Sequence, residues 1–202
     1  MAIQTNADEI RALFPELNQI QDPELRDGVV DIWLDLARET AWERFEDIPK
    51  NLKDEKHMTL IGHVQGVTSI AVAMADLVKK LHGVEIDRDL LIASCVLHDI
   101  SKPLESESNP GGPPTGSSLP PAKITEFGAK IQHGVYVAHK IWEKGLPKAL
   151  ELAHLVITHT RASNTRSKSY EAALLFYADW VDSDAGIVLG GGTPLASKWV
   201  EE

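Results

Sequence analysis

Histidine and aspartate residues of the kind that bind transition metals recur over more than half of this 202-residue chain. They are His63, His98, Asp99, His133, His159 and Asp179. Four neutral imidazoles and two carboxylates are enough for the protein side of two octahedral metal sites, provided that one carboxylate is shared. The adjacent pair His98-Asp99 ends an apolar run, and neighbouring helical side chains point about 100° apart, so both can still reach one ion beyond the helix end. Any one of these histidines taken alone is more often structural, and it is the ordered set that indicates a metal centre.

The other four histidines are weaker candidates because of their positions. Three of them suit other roles: His57 in a charged stretch, His82 before a helix-ending glycine, and His139 on the face of its helix opposite His133. His154 is a serious rival to His159, because it lies five residues earlier on the same predicted helix. His159 is preferred, since it falls where that helix ends before an irregular segment.

Apolar residues recur at helical spacing along nearly the whole chain, so we predict an all-α protein. Asp22-Pro23-Glu24 has the acidic N-cap and first-turn proline of a helix start, and an apolar stripe follows it. Residues 1–55 are therefore predicted to be an N-terminal helical extension packed on the core, covering the metal-binding domain or a dimer contact. Residues 56–185 are the predicted metal-binding domain, and residues 186–202 are a C-terminal tail.

Five helices are predicted within residues 56–185: one ends near His82-Gly83, one runs up to His98, one opens at His133, one spans Pro147 to His159, and one is capped by Ser169. In the third of these, four residues are expected to face inward: Val135, Ala138, Ile141 and Trp142. Residues 103–122 are rich in proline, glycine and serine and form a loop longer than a compact domain needs. A lid over the metal site is the preferred interpretation of this loop, and a disordered insertion is the alternative. No series of strands is predicted.

Composition restricts the class of protein. Hydrophobic residues make up 43% and charged residues 25% of the chain, as in ordinary globular proteins. The net charge of −10 disfavours nonspecific binding to nucleic acids or anionic membranes. No apolar stretch approaches the roughly 20 residues of a membrane span, and the N-terminus lacks the features of a signal peptide, so a cytoplasmic location is expected. The single cysteine, Cys95, excludes an internal disulfide and is predicted to be a buried apolar residue rather than a catalytic thiol.

The motifs around these residues resemble the HD superfamily of metal-dependent phosphohydrolases, from about His63 to Asp184. The likeness rests on five segments: His63-Val64-x-x-Val67, Leu97-His98-Asp99-Ile100-x-Lys102, His133-Gly134, Ile157-x-His159 and Ala178-Asp179. The resemblance implies an HD-domain helical bundle with two metal ions, one held by His63, His98, Asp99 and Asp179, and a second held by His133, His159 and the bridging Asp99. Ser101 stands where the family usually has glycine. No Gly-Tyr-Pro segment is found, which argues against a cyclic-dinucleotide substrate.

The resemblance also implies a hydrolase that releases phosphate from a small phosphorylated metabolite or nucleotide. Two divalent transition-metal ions (iron, manganese, cobalt, nickel or zinc) would activate a hydroxide. Asp99 and Lys102 would be the catalytic residues, and Lys102 would bind the substrate phosphate. Arg161, Arg166 and Lys168 form a basic segment that is expected to bind an anionic substrate, with a solvated loop as the alternative. The expected partner is thus a small anionic substrate, without nucleic acid or membrane, and the N-terminal extension is compatible with a homodimer.

Two alternatives to a hydrolase stay open. The same six ligands serve mixed-valent diiron oxygenases of the myo-inositol oxygenase type, which cleave C–C or C–P bonds. A non-catalytic metal-binding module is disfavoured, because the ligand set is complete and Lys102 is retained. Asp182, one turn after Asp179, could support a ligand through a hydrogen bond, but a solvated acid is the preferred interpretation.

Overall fold

The computed structural model describes residues 3–52, 58–113, 119–160, 165–195 and 197. Within these ranges the α-helices are α1 (Ala7–Leu13), α2 (Pro23–Glu39), α3 (Leu60–His82), α4 (Arg88–Leu97), α5 (Lys102–Glu105), α6 (Glu126–Lys130), α7 (Val135–Glu143), α8 (Ala149–Thr158) and α9 (Tyr170–Leu189). Two 3₁₀ helices, Pro15–Gln19 and Phe45–Asp47, lie before α3. The predicted all-α class is confirmed.

The N-terminal helices pack into the same core as the rest of the described chain. Helix α2 begins as predicted, with the Asp22 side chain accepting hydrogen bonds from two backbone N–H groups of the first turn. On its buried face, the Trp33 ring packs against Phe14 and Phe45 at centroid distances of 4.8 and 5.5 Å. The Trp33 indole also donates a 3.2 Å hydrogen bond to the Val96 carbonyl of α4. The boundaries at residues 55 and 185 stay predictions, since one core includes residues on both sides of residue 55 and α9 continues through residue 185.

Helix α4 is the centre of the bundle. The side chains from Leu90 to Leu97 are all buried, and α4 contacts α2, α3, α8 and α9. The Asp87 side chain caps its first turn by accepting from the Leu90 N–H. Because every face of α4 is covered, the residues that follow its last turn, His98 and Asp99, are delivered to the interior of the protein.

Helix α3 brings the first predicted ligand into that interior. The Thr59 side chain caps it, and its buried residues include Val64, Val67 and Ala71. Within the described residues, α3 is the one helix whose length and composition alone would allow it to cross a membrane, a feature that the sequence reading did not anticipate. The core helix of a soluble protein meets the same criteria, and α3 packs along α4 and α9.

The segment predicted as a long loop, residues 103–122, begins within α5 and then contains the first strand of a short hairpin, whose second strand starts at its end. Strand β1 (Ser106–Ser108) pairs with β2 (Ala122–Ile124) in antiparallel register, with Ser106 opposite Ile124. The sequence reading missed these strands, because three residues are too few for an alternating pattern to stand out. Residues 114–118 lie outside the described part of the chain, and the lid stays a prediction.

The predicted inward face of α7 is wrong at two positions. Val135 and Trp142 are 51% and 57% exposed, whereas Ile141 is buried as predicted and Val137 is buried as well. The buried face of α7 differs from the predicted one because polar contacts direct Tyr136 and Lys140 toward α2. Tyr136 donates a 2.8 Å hydrogen bond from its hydroxyl to Glu39. The Lys140 ammonium, on the same face, also pairs with Glu39 at 2.6 Å.

Candidate metal centre

The structure brings the six predicted ligands together where the central helices meet. They come from five places in the fold: His63 from α3, His98 and Asp99 from the turn after α4, His133 from the turn before α7, His159 from the end of α8, and Asp179 from α9. All but His133 and Asp179 are buried, and these two are partly buried. Residues up to 116 positions apart in the sequence thus share one small volume.

Four of the residues form an inner group around one oxygen of Asp99. The His63 Nε2 atom lies 3.1 Å from Asp179 Oδ1 and 3.5 Å from Asp99 Oδ2. The His98 Nε2 atom lies 3.2 Å from His63 Nε2 and 3.7 Å from Asp99 Oδ2. Two imidazole nitrogens and two carboxylate oxygens therefore face a common point.

The other oxygen of Asp99 faces an outer group. The Asp99 Oδ1 atom lies 3.1 Å from His133 Nε2 and 3.6 Å from His159 Nε2, and these two nitrogens are 2.9 Å apart. Gly134 makes this approach to α8 feasible, because a Cβ at that position would lie 2.8 Å from the Val156 carbonyl oxygen. Its φ of +87° also favours glycine. One carboxylate thus presents a different oxygen to each of two groups, which is the arrangement of a bridging ligand.

In three of the four rings, a hydrogen bond at Nδ1 determines which nitrogen carries the proton. His98 Nδ1 lies 2.7 Å from the Cys95 carbonyl, and His159 Nδ1 lies 2.7 Å from the Val156 carbonyl. His63 Nδ1 lies 2.6 Å from Asp182 Oδ2. Each acceptor requires an N–H at Nδ1, so in the neutral ring the Nε2 lone pair points into the cluster.

This donor set fits a metal ion. With both rings neutral, the Nε2 lone pairs of His63 and His98 would face each other at 3.2 Å, which is repulsive unless a cation lies between or beside them. Among the described residues, Asp99 Oδ1 is also a buried oxygen that no hydrogen bond reaches. An orphaned buried carboxylate oxygen is costly, and a metal ion would satisfy it.

Electrostatics keep His98, Asp99 and Asp179 in the protonation state that binds cations. Burial lowers the pKa of His98 to about 3, with His159 and His63 contributing, so this ring is neutral. Burial works against ionisation of Asp99, but Lys102 and the neighbouring histidines outweigh it and hold its pKa well below the usual range. The pKa of Asp179 is also lowered, because His63 outweighs its burial. The carboxylates are therefore anionic, as ligands must be.

Asp182 corrects an expectation from the sequence. It is not a solvated acid but accepts the hydrogen bond that holds the His63 ring, at 2.6 Å. Together with Asp179, it raises the pKa of His63 although burial works in the opposite direction. Gly66 leaves room for this carboxylate, because a Cβ there would lie only 2.0 Å from Asp182 Oδ1. The signal in the sequence was the spacing of three residues from Asp179, which places both acids on one face of α9.

Lys102 lies at the edge of the cluster. It lines a cavity of about 160 Å³ whose other lining residues include Asp99, Asp179, His133 and His159. Its ammonium is 3.3 Å from Glu105 Oε2. Burial opposes the charge of Lys102, but Asp99 and Glu105 outweigh it and raise its pKa, so the side chain is cationic.

Sequence reasoning missed further residues that line this cavity, among them Lys50, Asn51 and Ser183. Lys50 is buried and donates a hydrogen bond to the Ser183 hydroxyl. Ser183 in turn donates to Asp179 Oδ1 at 3.3 Å. A single lysine in a polar stretch carries no distinguishing signal, and only the tertiary structure brings it here.

The predicted basic segment is not brought to the cluster in the part that the structure describes. Arg161 lies outside the described residues. Arg166 and Lys168 are exposed and are not among the residues that line the cavity. The backbone N–H of Lys168 donates to His154 Nε2 at 3.1 Å, so the ring of His154, the rival of His159, is engaged away from the cluster. A substrate-binding role for this segment stays a prediction.

Comparisons with known proteins agree with the geometry. The family profile described as "HD domain" matches residues 60–184, which is more than half of the chain. Over 125 residues the chain is 32% identical to the dihydroneopterin 2′,3′-cyclic phosphate phosphodiesterase of Methanocaldococcus jannaschii. That alignment covers 61% of this chain but only 46% of the relative. No solved structure gave a significant match. The matched region contains all six clustered residues, and the chain belongs to the HD superfamily of metal-dependent phosphohydrolases.

Proposed function

We propose that this protein is a metal-dependent phosphohydrolase that acts on a phosphate ester of a small metabolite or nucleotide. The observation that carries the proposal is the position of Asp99, whose two oxygens each face a separate group of histidines beside a cavity lined by a cationic lysine. The relative from Methanocaldococcus jannaschii is named for action on a cyclic phosphate ester, which supports the same substrate class.

Two metal ions are proposed, with the ligands divided by Asp99. His63, His98, Asp99 and Asp179 would hold one ion, and Asp99, His133 and His159 would hold the other. Imidazole and carboxylate ligands suit iron, manganese, cobalt, nickel or zinc. When bound, such ions polarise a phosphoryl oxygen and lower the pKa of water so that it attacks near neutral pH.

The chain's own residues prepare the site for an anionic ester. Asp182 fixes the His63 ring and its tautomer through the 2.6 Å contact at Nδ1. Backbone carbonyls do the same for His98 and His159. Lys102 remains cationic at the cavity wall, where its ammonium would bind the phosphate oxygens and stabilise charge that develops on them.

The proposal is tested by loading protein purified without oxygen with each candidate metal in turn. We expect release of inorganic phosphate from a phosphomonoester, or ring opening of a cyclic phosphodiester, with at least one metal in a panel of nucleotides and metabolites. Asp99→Ala is the matched inactive control, because it removes the shared ligand. Oxygen consumption by the diiron form, without hydrolysis of any ester, would contradict the hydrolase and support the oxygenase instead.

A further inference from the structure

Two cavities meet beside the metal cluster. The first, of about 160 Å³, is lined by the clustered ligands. The second, of about 340 Å³, is lined by the following residues: Pro49, Lys50, Asn51, Leu52, Lys102, Glu105, Ser106 and Ile124. Lys50, Asn51 and Lys102 line both cavities and therefore mark the junction between them. A substrate with its phosphate in the first cavity and its organic part in the second would pass between these residues.

Lys50 reaches this junction through a backbone pairing that the sequence does not reveal. The Lys50 N–H donates to the Met58 carbonyl at 3.1 Å, and the Leu60 N–H donates to the Ile48 carbonyl at 2.9 Å. This short antiparallel pairing holds the residues around Lys50 against the start of α3, one turn before His63. Lys50 lies before residue 60, so it belongs to the part of the chain that the family profile does not match.

The summed charge of the groups around the junction would be positive, and would attract an anion, once two metal ions are bound. Four carboxylates surround or support the cavity, namely Asp99, Asp179, Asp182 and Glu105, against two ammonium groups, Lys50 and Lys102. The carboxylates therefore exceed the ammonium groups by two negative charges. Two divalent ions would change this net charge to two positive charges, which a phosphate dianion would neutralise. An anion beside Lys50 would interact strongly with its ammonium, because Lys50 is only 6% exposed.

We infer that Lys50 and Lys102 together form a phosphate-binding subsite at this junction, with Lys50 as the second cation that contacts the substrate phosphate. The inference rests on the proposed function for its substrate class. Lysine is suited to this role because its compact ammonium binds phosphate as a point charge. The contact between Lys50 and Ser183 holds the ammonium at the cavity wall.

The alternative is that Lys50 only positions Asp179 through Ser183. Inorganic phosphate binding to the metal-loaded protein, measured by calorimetry together with metal content, separates the two roles. We expect Lys50→Gln to weaken phosphate binding about tenfold or more, the effect of losing one charge-assisted hydrogen bond, while metal content stays at the level of the wild type. Lys50→Arg should retain most of the affinity, since the charge is kept.

Three further variants complete the experiment. Lys80→Gln removes the same charge from an exposed position near the end of α3 and controls for net charge. Ser183→Ala breaks the route to Asp179 and removes one contact of the ammonium but keeps the charge of Lys50, so phosphate affinity should fall much less than in Lys50→Gln. Lys50→Met keeps the aliphatic stem and removes only the ammonium, which serves if Lys50→Gln does not fold.

The subsite is refuted if Lys50→Gln or Lys50→Met binds phosphate as tightly as the wild type. It is also refuted if both Lys50→Gln and Ser183→Ala lose metal and phosphate in parallel, because Lys50 would then act only on Asp179. A wild-type protein that binds phosphate through Lys50 but hydrolyses no ester would contradict the proposed function and leave the subsite standing. Ester hydrolysis that is unaffected by Lys50→Gln would contradict the subsite and leave the proposed function standing.

Discussion

Gly66 provides a sharp test of how the metal centre is built, because its missing side chain makes room for Asp182. The residue lies within α3, and a Cβ there would be 2.0 Å from Asp182 Oδ1 and 2.8 Å from Asp182 Cγ. Gly66→Ala therefore cannot be accommodated unless the carboxylate moves. When it moves, the 2.6 Å hydrogen bond to His63 Nδ1 is lost.

Two opposing effects determine the stability of the metal-free Gly66→Ala variant. Alanine favours an internal helical position over glycine by about 1 kcal/mol. Loss of a hydrogen bond to a charged group costs about 1.5–3 kcal/mol. The second effect is larger, so we expect a net loss in the free energy of unfolding of about 0.5–2 kcal/mol. Metal affinity should also fall by about 10–100-fold, as is usual when the partner of a metal-binding histidine is displaced.

The Asp182→Ala background should reverse the sign of the stability change. With the carboxylate absent, the alanine at position 66 has no atom of Asp182 to displace, and its helix propensity should stabilise the protein by about 1 kcal/mol. Metal affinity, already lowered by Asp182→Ala, should not fall further. The two residues thus form a double-mutant cycle with a large coupling energy.

Urea denaturation of the four chelator-treated proteins gives the stabilities, and titration with manganese or zinc gives the metal affinities. A Gly66→Ala variant that is more stable than the wild type and binds metal equally well would refute the reasoning. The reasoning would also be refuted if Gly66→Ala destabilised the Asp182→Ala protein as much as the wild type, because the clash would then not be with Asp182.

Three other predictions concern separate parts of the fold. Asp99→Asn should lose bound metal and ester hydrolysis together, because the amide is a poor bridging ligand. Metal analysis beside a phosphate-release assay checks this, and full metal content in the variant would contradict the bridge. Trp33→Ala should reduce the free energy of unfolding by about 3–5 kcal/mol in chemical denaturation, since the ring is fully buried between the N-terminal helices and α4. Burial opposes the ionisation of Asp35, but Lys144 and Lys140 outweigh it and lower its pKa below 3.8, so its stabilising effect should be present above that pH and be lost as the pH falls through the lowered value. Asp35→Asn should therefore weaken the acid dependence of stability, and an identical pH profile for the variant would count against the ion pairs with α7.

Local sequence signals predicted the ends of several helices correctly. Asp22 and Ser169 both accept capping hydrogen bonds from backbone N–H groups of the turns that follow them. Such caps depend on residues at most three positions apart, so the sequence contains everything needed to recognise them. The burial of Cys95 followed equally from the apolar run around it.

The contacts that the sequence did not disclose join residues far apart in the chain. The hydrogen bond between His63 and Asp182 depends on how α3 and α9 align, and neither helix carries that alignment in its own pattern. Lys50 reaches the cavity through the pairing of residues 48–50 with residues 58–60. The orientation of Trp142 depends on polar contacts between α7 and α2, which outweigh the apolar spacing within α7. In each case, packing between elements selects among arrangements that the local pattern permits.

The two groups of ligands that face the two oxygens of Asp99 differ in how firmly the fold holds them. His63, His98 and Asp179 are supplied by α3, by the end of α4 and by α9, three helices packed against one another. His133 stands instead on the turn before α7, and its side chain is 17% exposed, while those of His63 and His98 are fully buried. Local opening of this turn would release one ligand without unfolding the bundle. A bound pair of ions would therefore differ in kinetic lability, with the ion on the His133 side exchanging or yielding to a chelator well before its neighbour.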